Sequence, residues 1–179
     1  ITRPDYGITG WVILTLIQHG TPSQIDRFVE KALRKDEVWC QLFSEPSAGS
    51  DAAAVKTRAT RVDGGWKITG QKVWTSGAHY CQRGLATVRT DFDVPKHAGI
   101  TMVILDMKAP GVEVRPLRQI TGGSDFNEVF FDEVFVPDED VVGEPNAGWA
   151  VARATLGNER VSIGGGGGGI APASEWLMH

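Results

Sequence analysis

The chain is poor in cysteine, with two in 179 residues. Cys40 and Cys81 stand at no metal or redox spacing, so free thiols in a reducing compartment are the expected state. There is no basic surplus either. Eighteen Lys and Arg face 22 Asp and Glu, a net charge of -4, which argues against a nucleic-acid-binding surface. No apolar run reaches the ~20 residues that cross a bilayer. The longest lies between Gly7 and Gly20 and suits a buried helix. His19, His79, His97 and His179 are scattered, without metal-ligand spacing. The chain opens on Ile1-Thr2-Arg3-Pro4, with no initiator Met, signal peptide or basic leader. It therefore reads as a piece of a longer protein.

What is present is ordinary in bulk: 41% hydrophobic and 22% charged residues, the balance of a soluble globular domain. Residues 6–20 read as an apolar helix closed by Gly20. Thr21-Pro22-Ser23-Gln24 starts a second, with Thr21 as cap, Pro22 in the first turn and Gln24 completing a capping box. Ile25, Phe28, Val29, Ala32 and Leu33 give that helix one apolar face. The pattern then changes to short strands: 38–44, 55–62, 66–69, 84–89, 100–107, 112–116 and 128–136. Asp63-Gly64-Gly65 supplies a hairpin turn. After Asn146, a candidate cap, the pattern is helical again to about Ile163. The run Gly164 to Gly169 should then interrupt it, since each interior Gly costs a helix about 1 kcal/mol against Ala. That run is either a real loop or a record of unidentified side chains.

Two segments carry the chemistry. Gln41-Leu42-Phe43-Ser44-Glu45-Pro46-Ser47-Ala48-Gly49-Ser50-Asp51 and Gly70-Gln71-Lys72-Val73-Trp74-Thr75-Ser76-Gly77 each end a strand in small, hydroxylated and glycine residues. That composition suits a flat heterocycle with polar edges, laid against a sheet beside an aromatic ring. Two ordinary strand-to-turn transitions with a core Trp would use the same residues. Other patterns fail. The glycine run satisfies a Gly-x-Gly-x-x-Gly spacing, but no strand precedes it and no acidic residue follows at the needed distance. Ser50, Asp51 and His79 lack a nucleophile-elbow context. Lys96 and His97, beside Pro95, read as an exposed turn.

The two segments resemble the flavin-contacting motifs of the acyl-CoA dehydrogenase family. The resemblance continues through Gly99-Ile100-Thr101-Met102, Ala109-Pro110-Gly111-Val112, Phe126-Asn127-Glu128-Val129-Phe130-Phe131, Val136-Pro137, Gly143-Glu144 and Gly148-Trp149. It covers residues 5–163. It implies an α+β fold in which an antiparallel β-barrel or sandwich middle domain (38–145) is flanked by the end of an N-terminal helical domain (1–37) and the start of a C-terminal one (146–179). It also implies FAD as cofactor, held by Gln41, Leu42, Phe43, Ser44, Gly49, Ser50, Trp74, Thr75 and Ser76. By this resemblance Ser44 reaches the pyrimidine edge, Ser76 reaches N5, and Ser50 also touches the acyl-CoA substrate. Glu159 stands where one branch of the family carries its catalytic base, directly before an Arg. Arg160 is then a structural or substrate-binding residue. A helical Glu paired with solvent or with a neighbouring Arg is the alternative for Glu159.

The implied reaction is α,β-dehydrogenation of an acyl-CoA thioester, with electrons passed to an electron-transfer flavoprotein. A homo- or hetero-oligomer is expected, in the bacterial cytoplasm or the mitochondrial matrix. The alternatives are a non-catalytic FAD-binding subunit of a heteromer, or an acyl-CoA oxidase or flavin monooxygenase on the same fold. One position departs from the family pattern: Gly157 stands where an acidic residue often contacts the nucleotide part of the substrate.

Overall fold

The computed structural model describes residues 6–165. Readings that fall on residues 1–5, on 166–169 of the glycine run, or on the segment to His179 lie outside the described residues. In chain order the elements are α1 (Gly7–His19), α2 (Pro22–Leu33), β1 (Trp39–Leu42), β2 (Arg58–Val62), β3 (Gly65–Ser76), β4 (Arg83–Arg89), β5 (Ile100–Asp106), β6 (Val112–Pro116), β7 (Phe126–Pro137), a 3-10 turn (Asp138–Asp140), β8 (Val141–Val142) and α3 (Gly148–Gly165).

The capping box forms as its residues predict. Gln24 N–H donates to Thr21 Oγ1 at 3.2 Å, and Thr21 N–H donates to Gln24 Oε1 at 3.0 Å. Gln24 does more than cap. Its buried Nε2 donates to the Glu139 and Val141 carbonyls at 2.8 and 2.7 Å, so the start of α2 is pinned to the end of the sheet.

The strands form one eight-stranded sheet in the order β6-β7-β3-β2-β4-β5-β8, with β1 paired to β4. Gly64, at φ 72°, makes the β2–β3 turn. The antiparallel barrel expected from the sequence is not formed among the described residues. The sheet is open, because its edge strands β6 and β8, five and two residues long, do not pair with each other. It is also mixed, because β1 pairs parallel with β4. The reason is the entry of the chain: β1 arrives from α2, and the polypeptide passes through β2 and β3 before returning as β4. Such a crossover permits parallel pairing where a hairpin would not.

Two cores lie on opposite faces of β4 and β5, so these strands are buried on both sides. Leu85, Met102 and Ile104 face Leu16 of α1, Phe28 of α2 and Val151 of α3. Ala86, Val88, Val103 and Leu105 pack with Val129, Phe131 and Val134 of β7. Gly148 lets α3 begin hard against β5, since a Cβ there would lie 2.5 Å from Met102 N. The helix then runs to Gly165, past the end expected near Ile163. A Cβ at Gly164 would meet nothing within 4 Å. Among the described residues, no helix is long and apolar enough to cross a membrane.

Candidate functional site

The two segments singled out by the sequence meet. Val73 N–H donates to the Ser44 carbonyl at 2.9 Å, joining the end of β1 to β3. Beside this bond lies a buried ion pair, Lys72 Nζ to Glu45 Oε1 at 2.8 Å. Lys72 Nζ also donates to the Phe43 carbonyl at 3.2 Å and reaches Thr87 Oγ1 at 3.4 Å. The Glu45 carboxylate accepts the backbone N–H groups of Lys56 at 2.6 Å and Thr57 at 3.0 Å. Ser44 is therefore held at its own carbonyl and bracketed by bonds to both chain neighbours. Burial works to raise the Glu45 carboxyl, but Lys72 and the two amides outweigh it and hold it below its usual value. Burial pulls the Lys72 ammonium down to about 8, with Glu45 opposing. Both groups are ionised at neutral pH.

Beyond Glu45 the chain turns tightly, with reciprocal Glu45–Ala48 backbone bonds of 2.9 and 3.0 Å. This leaves Gly49 and Ser50 exposed. Asp51 pairs with Lys96 Nζ at 2.6 Å, and His97 tilts on Trp149. His79 Nδ1 lies 3.2 Å from Asn127 Oδ1. Ser50, Asp51 and His79 thus form no triad.

Trp74 is not a core residue. The β3–β7 register shifts between Lys72 and Thr75, and Trp74 takes φ 59° in that irregularity. Its side chain is turned outward, leaving the residue 64% exposed. Phe126 meets it edge-on with centroids 6.1 Å apart. Thr75 points inward, and its buried Oγ1 has no hydrogen-bond partner among the described residues. Asn127 Nδ2 fixes the Thr75 carbonyl at 2.9 Å. Ser44 and Ser76 are half-buried. Hydroxyls at two adjoining strand ends, an orphaned Thr75 oxygen and an open indole face fit a flavin: polar edges to bind, a flat ring to cover.

Glu159 joins this arrangement through Gln41. Gln41 Nε2 donates to Glu159 Oε2 at 3.2 Å, and Gln41 Oε1 accepts from Trp11 Nε1 at 2.7 Å. Asn158 ties α3 to α1 through Thr15 and Gln18. Leu42 and Phe43 are buried, in the two different cores. Arg160 is exposed and shares with Glu159 a shallow groove of about 360 Å³ that also touches Leu156 and Ile163. A larger cavity of about 660 Å³, between Gln24, Trp66 and Glu144, contains none of the expected site residues.

Residues 40–134, just over half of the chain, match the family described as "Acyl-CoA dehydrogenase, middle domain". The chain belongs to the acyl-CoA dehydrogenase family. It is 59% identical over 163 residues to the acyl-CoA dehydrogenase FadE34 of Mycobacterium tuberculosis, covering 91% of this chain and 23% of that protein. Its fold matches the solved Tcur3481-Tcur3483 steroid ACAD at a TM-score of 0.84 and 33% identity, over 89% of this chain and 42% of that one. The ChsE4-ChsE5 complex of Mycobacterium tuberculosis matches at a TM-score of 0.77 and 34% identity, over 84% and 39%. The chain thus spans less than a quarter of FadE34 and about two-fifths of these solved relatives.

Sequence reasoning quoted Glu45 and Lys72 only as parts of a family pattern and missed their pairing. The signal was available: a Lys beside Val73 within a strand needs an anion when buried. Trp11 was missed altogether, because nothing in an apolar helix marks which indole N–H faces a strand 30 residues away.

Proposed function

We propose that this chain is the flavin-binding middle part of an FAD-dependent acyl-CoA dehydrogenase. Residues 38–145 are the middle β-domain, 1–37 end an N-terminal helical domain, and 146–179 begin a C-terminal one. The observation that carries the reading is the meeting of the Ser44 and Trp74–Ser76 strand ends, with the Glu159 carboxylate hydrogen-bonded to Gln41 on the same strand as the first.

FAD, which family members use, supplies a hydride acceptor when bound. The Ser44 and Ser76 hydroxyls would act as donors along the edge of the ring system, with Trp74 and Thr75 beside it. Leu42 and Phe43 anchor the segment, one in each of the two cores, while Gly49 and Ser50 bring backbone to the phosphates and the thioester substrate. Glu159 Oε1, the oxygen not engaged by Gln41, takes the α-proton. A positioned carboxylate of this kind contributes on the order of 10²–10⁴ in rate. Arg160 stands beside it on the substrate side. With Gly157 in place of an acidic residue, recognition of the nucleotide part of the substrate differs from that in much of the family. Electrons pass on to an electron-transfer flavoprotein. The likeness to a steroid ACAD adds CoA thioesters with bulky steroid-derived acyl groups to the straight and branched chains as candidate substrates.

The direct test uses the full-length protein with its FAD under anaerobic conditions. Addition of a suitable acyl-CoA bleaches the long-wavelength flavin band. Intact FAD that no acyl-CoA of any chain type reduces defeats the proposal.

A second reading draws on the likeness to the ChsE4-ChsE5 complex, a two-protein assembly. In it, this chain binds FAD in a heteromer whose partner supplies the base. Glu159→Gln separates the two: turnover falls at least about 100-fold if Glu159 is the base and is unchanged if the partner supplies it.

A further inference from the structure

We propose that Gln41 and Trp11 are positioning residues that hold the Glu159 carboxylate in a single orientation; this rests on the reading of Glu159 as the base. The chemistry of the donors fixes the direction of the relay. An indole N–H only donates, so the Gln41 atom 2.7 Å from Trp11 Nε1 must be the amide oxygen. The amide nitrogen is thereby turned toward Glu159, where it meets Oε2 at 3.2 Å. Among the described residues only one carboxylate oxygen is engaged, which leaves the other to receive a proton. Without the Trp11 N–H, the Gln41 amide gains the freedom to rotate half a turn. It would then set its oxygen against the carboxylate, replacing an attraction by a repulsion.

The relay is mounted on elements that are themselves tied together. Trp39 N–H donates to Thr9 Oγ1 at 3.0 Å, fixing β1 to α1. Asn158 Nδ2 donates to Thr15 Oγ1 at 3.2 Å and Gln18 Oε1 at 3.0 Å, fixing α3 to α1. Gln41 and Ser44 lie on one continuous segment, so its position sets both the carboxylate and the hydroxyl assigned to the pyrimidine edge. The base and the flavin contact therefore share one mechanical support. A site that must place reacting atoms within fractions of an ångström benefits from that arrangement.

The test uses the full-length enzyme with bound FAD and four variants: Trp11→Phe, Gln41→Met, the double variant and Glu159→Gln. The readouts are kcat, KM for acyl-CoA, the isotope effect with α-deuterated substrate, flavin content and thermal midpoint. Trp11→Phe and Gln41→Met each lower kcat by about 10-fold or more while KM stays within about twofold, the cost of a misplaced but present group. The isotope effect rises, because proton removal becomes slower relative to other steps. The double variant falls no further than the worse single one, as expected of two members of one relay. Normal kcat in both single variants, with Glu159→Gln inactive, overturns the relay and leaves the proposed function standing. An active Glu159→Gln variant overturns the base assignment and the relay with it. Should Gln41→Met lose its flavin, Trp11→Phe decides alone, since it removes one N–H and keeps an aromatic ring. A rise in KM equal to the fall in kcat/KM, at unchanged kcat, marks packing loss and also overturns the relay.

Discussion

Replacing Lys72 by Met puts the buried ion pair to the sharpest test. Lys72 is fully buried and Glu45 is 5% exposed, so solvent cannot take over the role of the missing ammonium. Met nearly matches the Lys stem, so the packing loss should stay below about 1.5 kcal/mol. What remains is a carboxylate in the core, hydrogen-bonded to the Lys56 and Thr57 amides and within electrostatic reach of the buried Arg89 guanidinium, which offsets part of the loss. Leaving one member of a buried pair uncompensated costs about 3–5 kcal/mol. The Phe43 carbonyl also loses its Lys72 donor, which loosens the chain on the N-terminal side of Ser44. Urea denaturation of the full-length holoprotein, followed by far-UV signal and by flavin fluorescence, reads both consequences. The expected result is a stability loss toward the low end of about 3–5 kcal/mol with earlier flavin release. Adding Glu45→Gln to Lys72→Met removes the stranded charge and recovers part of that loss. A single-variant loss below about 1 kcal/mol, with no recovery in the double, refutes the argument.

Other outcomes follow from the same geometry. Trp74→Gly should change stability by no more than about 1 kcal/mol, because little burial is lost and the left-handed backbone at φ 59° is relieved. It should nevertheless weaken FAD retention on gel filtration; unaltered retention would remove Trp74 from the site. Thr21→Ala should cost about 1 kcal/mol through the lost cap, and Gln24→Ala more, because the Glu139 and Val141 carbonyls also lose their donor; denaturation midpoints rank the two. In pH titrations of stability, Glu45 is held below 4.5 when folded, so its contribution is present above that value and disappears as pH falls through the lower folded value. Lys72 adds a slope of the same sign at higher pH. Between about 8 and 10.5 the unfolded chain keeps a proton the folded one has released, so this group's contribution rises with pH across that window and is absent in Lys72→Met.

Local signals in the sequence translated well into structure. The Thr21–Gln24 spacing predicts a capping box and one forms. Asp63-Gly64 predicts a hairpin and β2–β3 turn there. The Ser44 and Trp74–Ser76 segments were legible as strand ends, and their meeting follows from the family pattern. What was not legible depends on distant parts of the chain. The parallel β1–β4 pairing is set by how the polypeptide enters the sheet, and no residue in Trp39–Leu42 announces it. The outward turn of Trp74 arises from a register shift against β7, some 50 residues later, where burial was the ordinary reading of an aromatic between two strand residues. The Glu45–Lys72 and Gln41–Glu159 bonds join residues 27 and 118 positions apart. The helix runs on to Gly165 although a Cβ at Gly164 would meet nothing within 4 Å and Val161 and Ile163 are exposed, so no packing among the described residues explains why the first glycines of the run do not end it.

The central claim is that two strand ends bind flavin while Glu159 faces the substrate carbon. A crystal structure of the full-length protein with FAD and an unreactive acyl-CoA analogue tests it most directly. The account predicts the Ser44 and Ser76 hydroxyls in hydrogen bonds to the flavin ring system, Trp74 beside it, and the Glu159 carboxylate against the α-carbon with Gln41 still bound. A flavin seated away from these strand ends, or an α-carbon served by a different carboxylate, would contradict it.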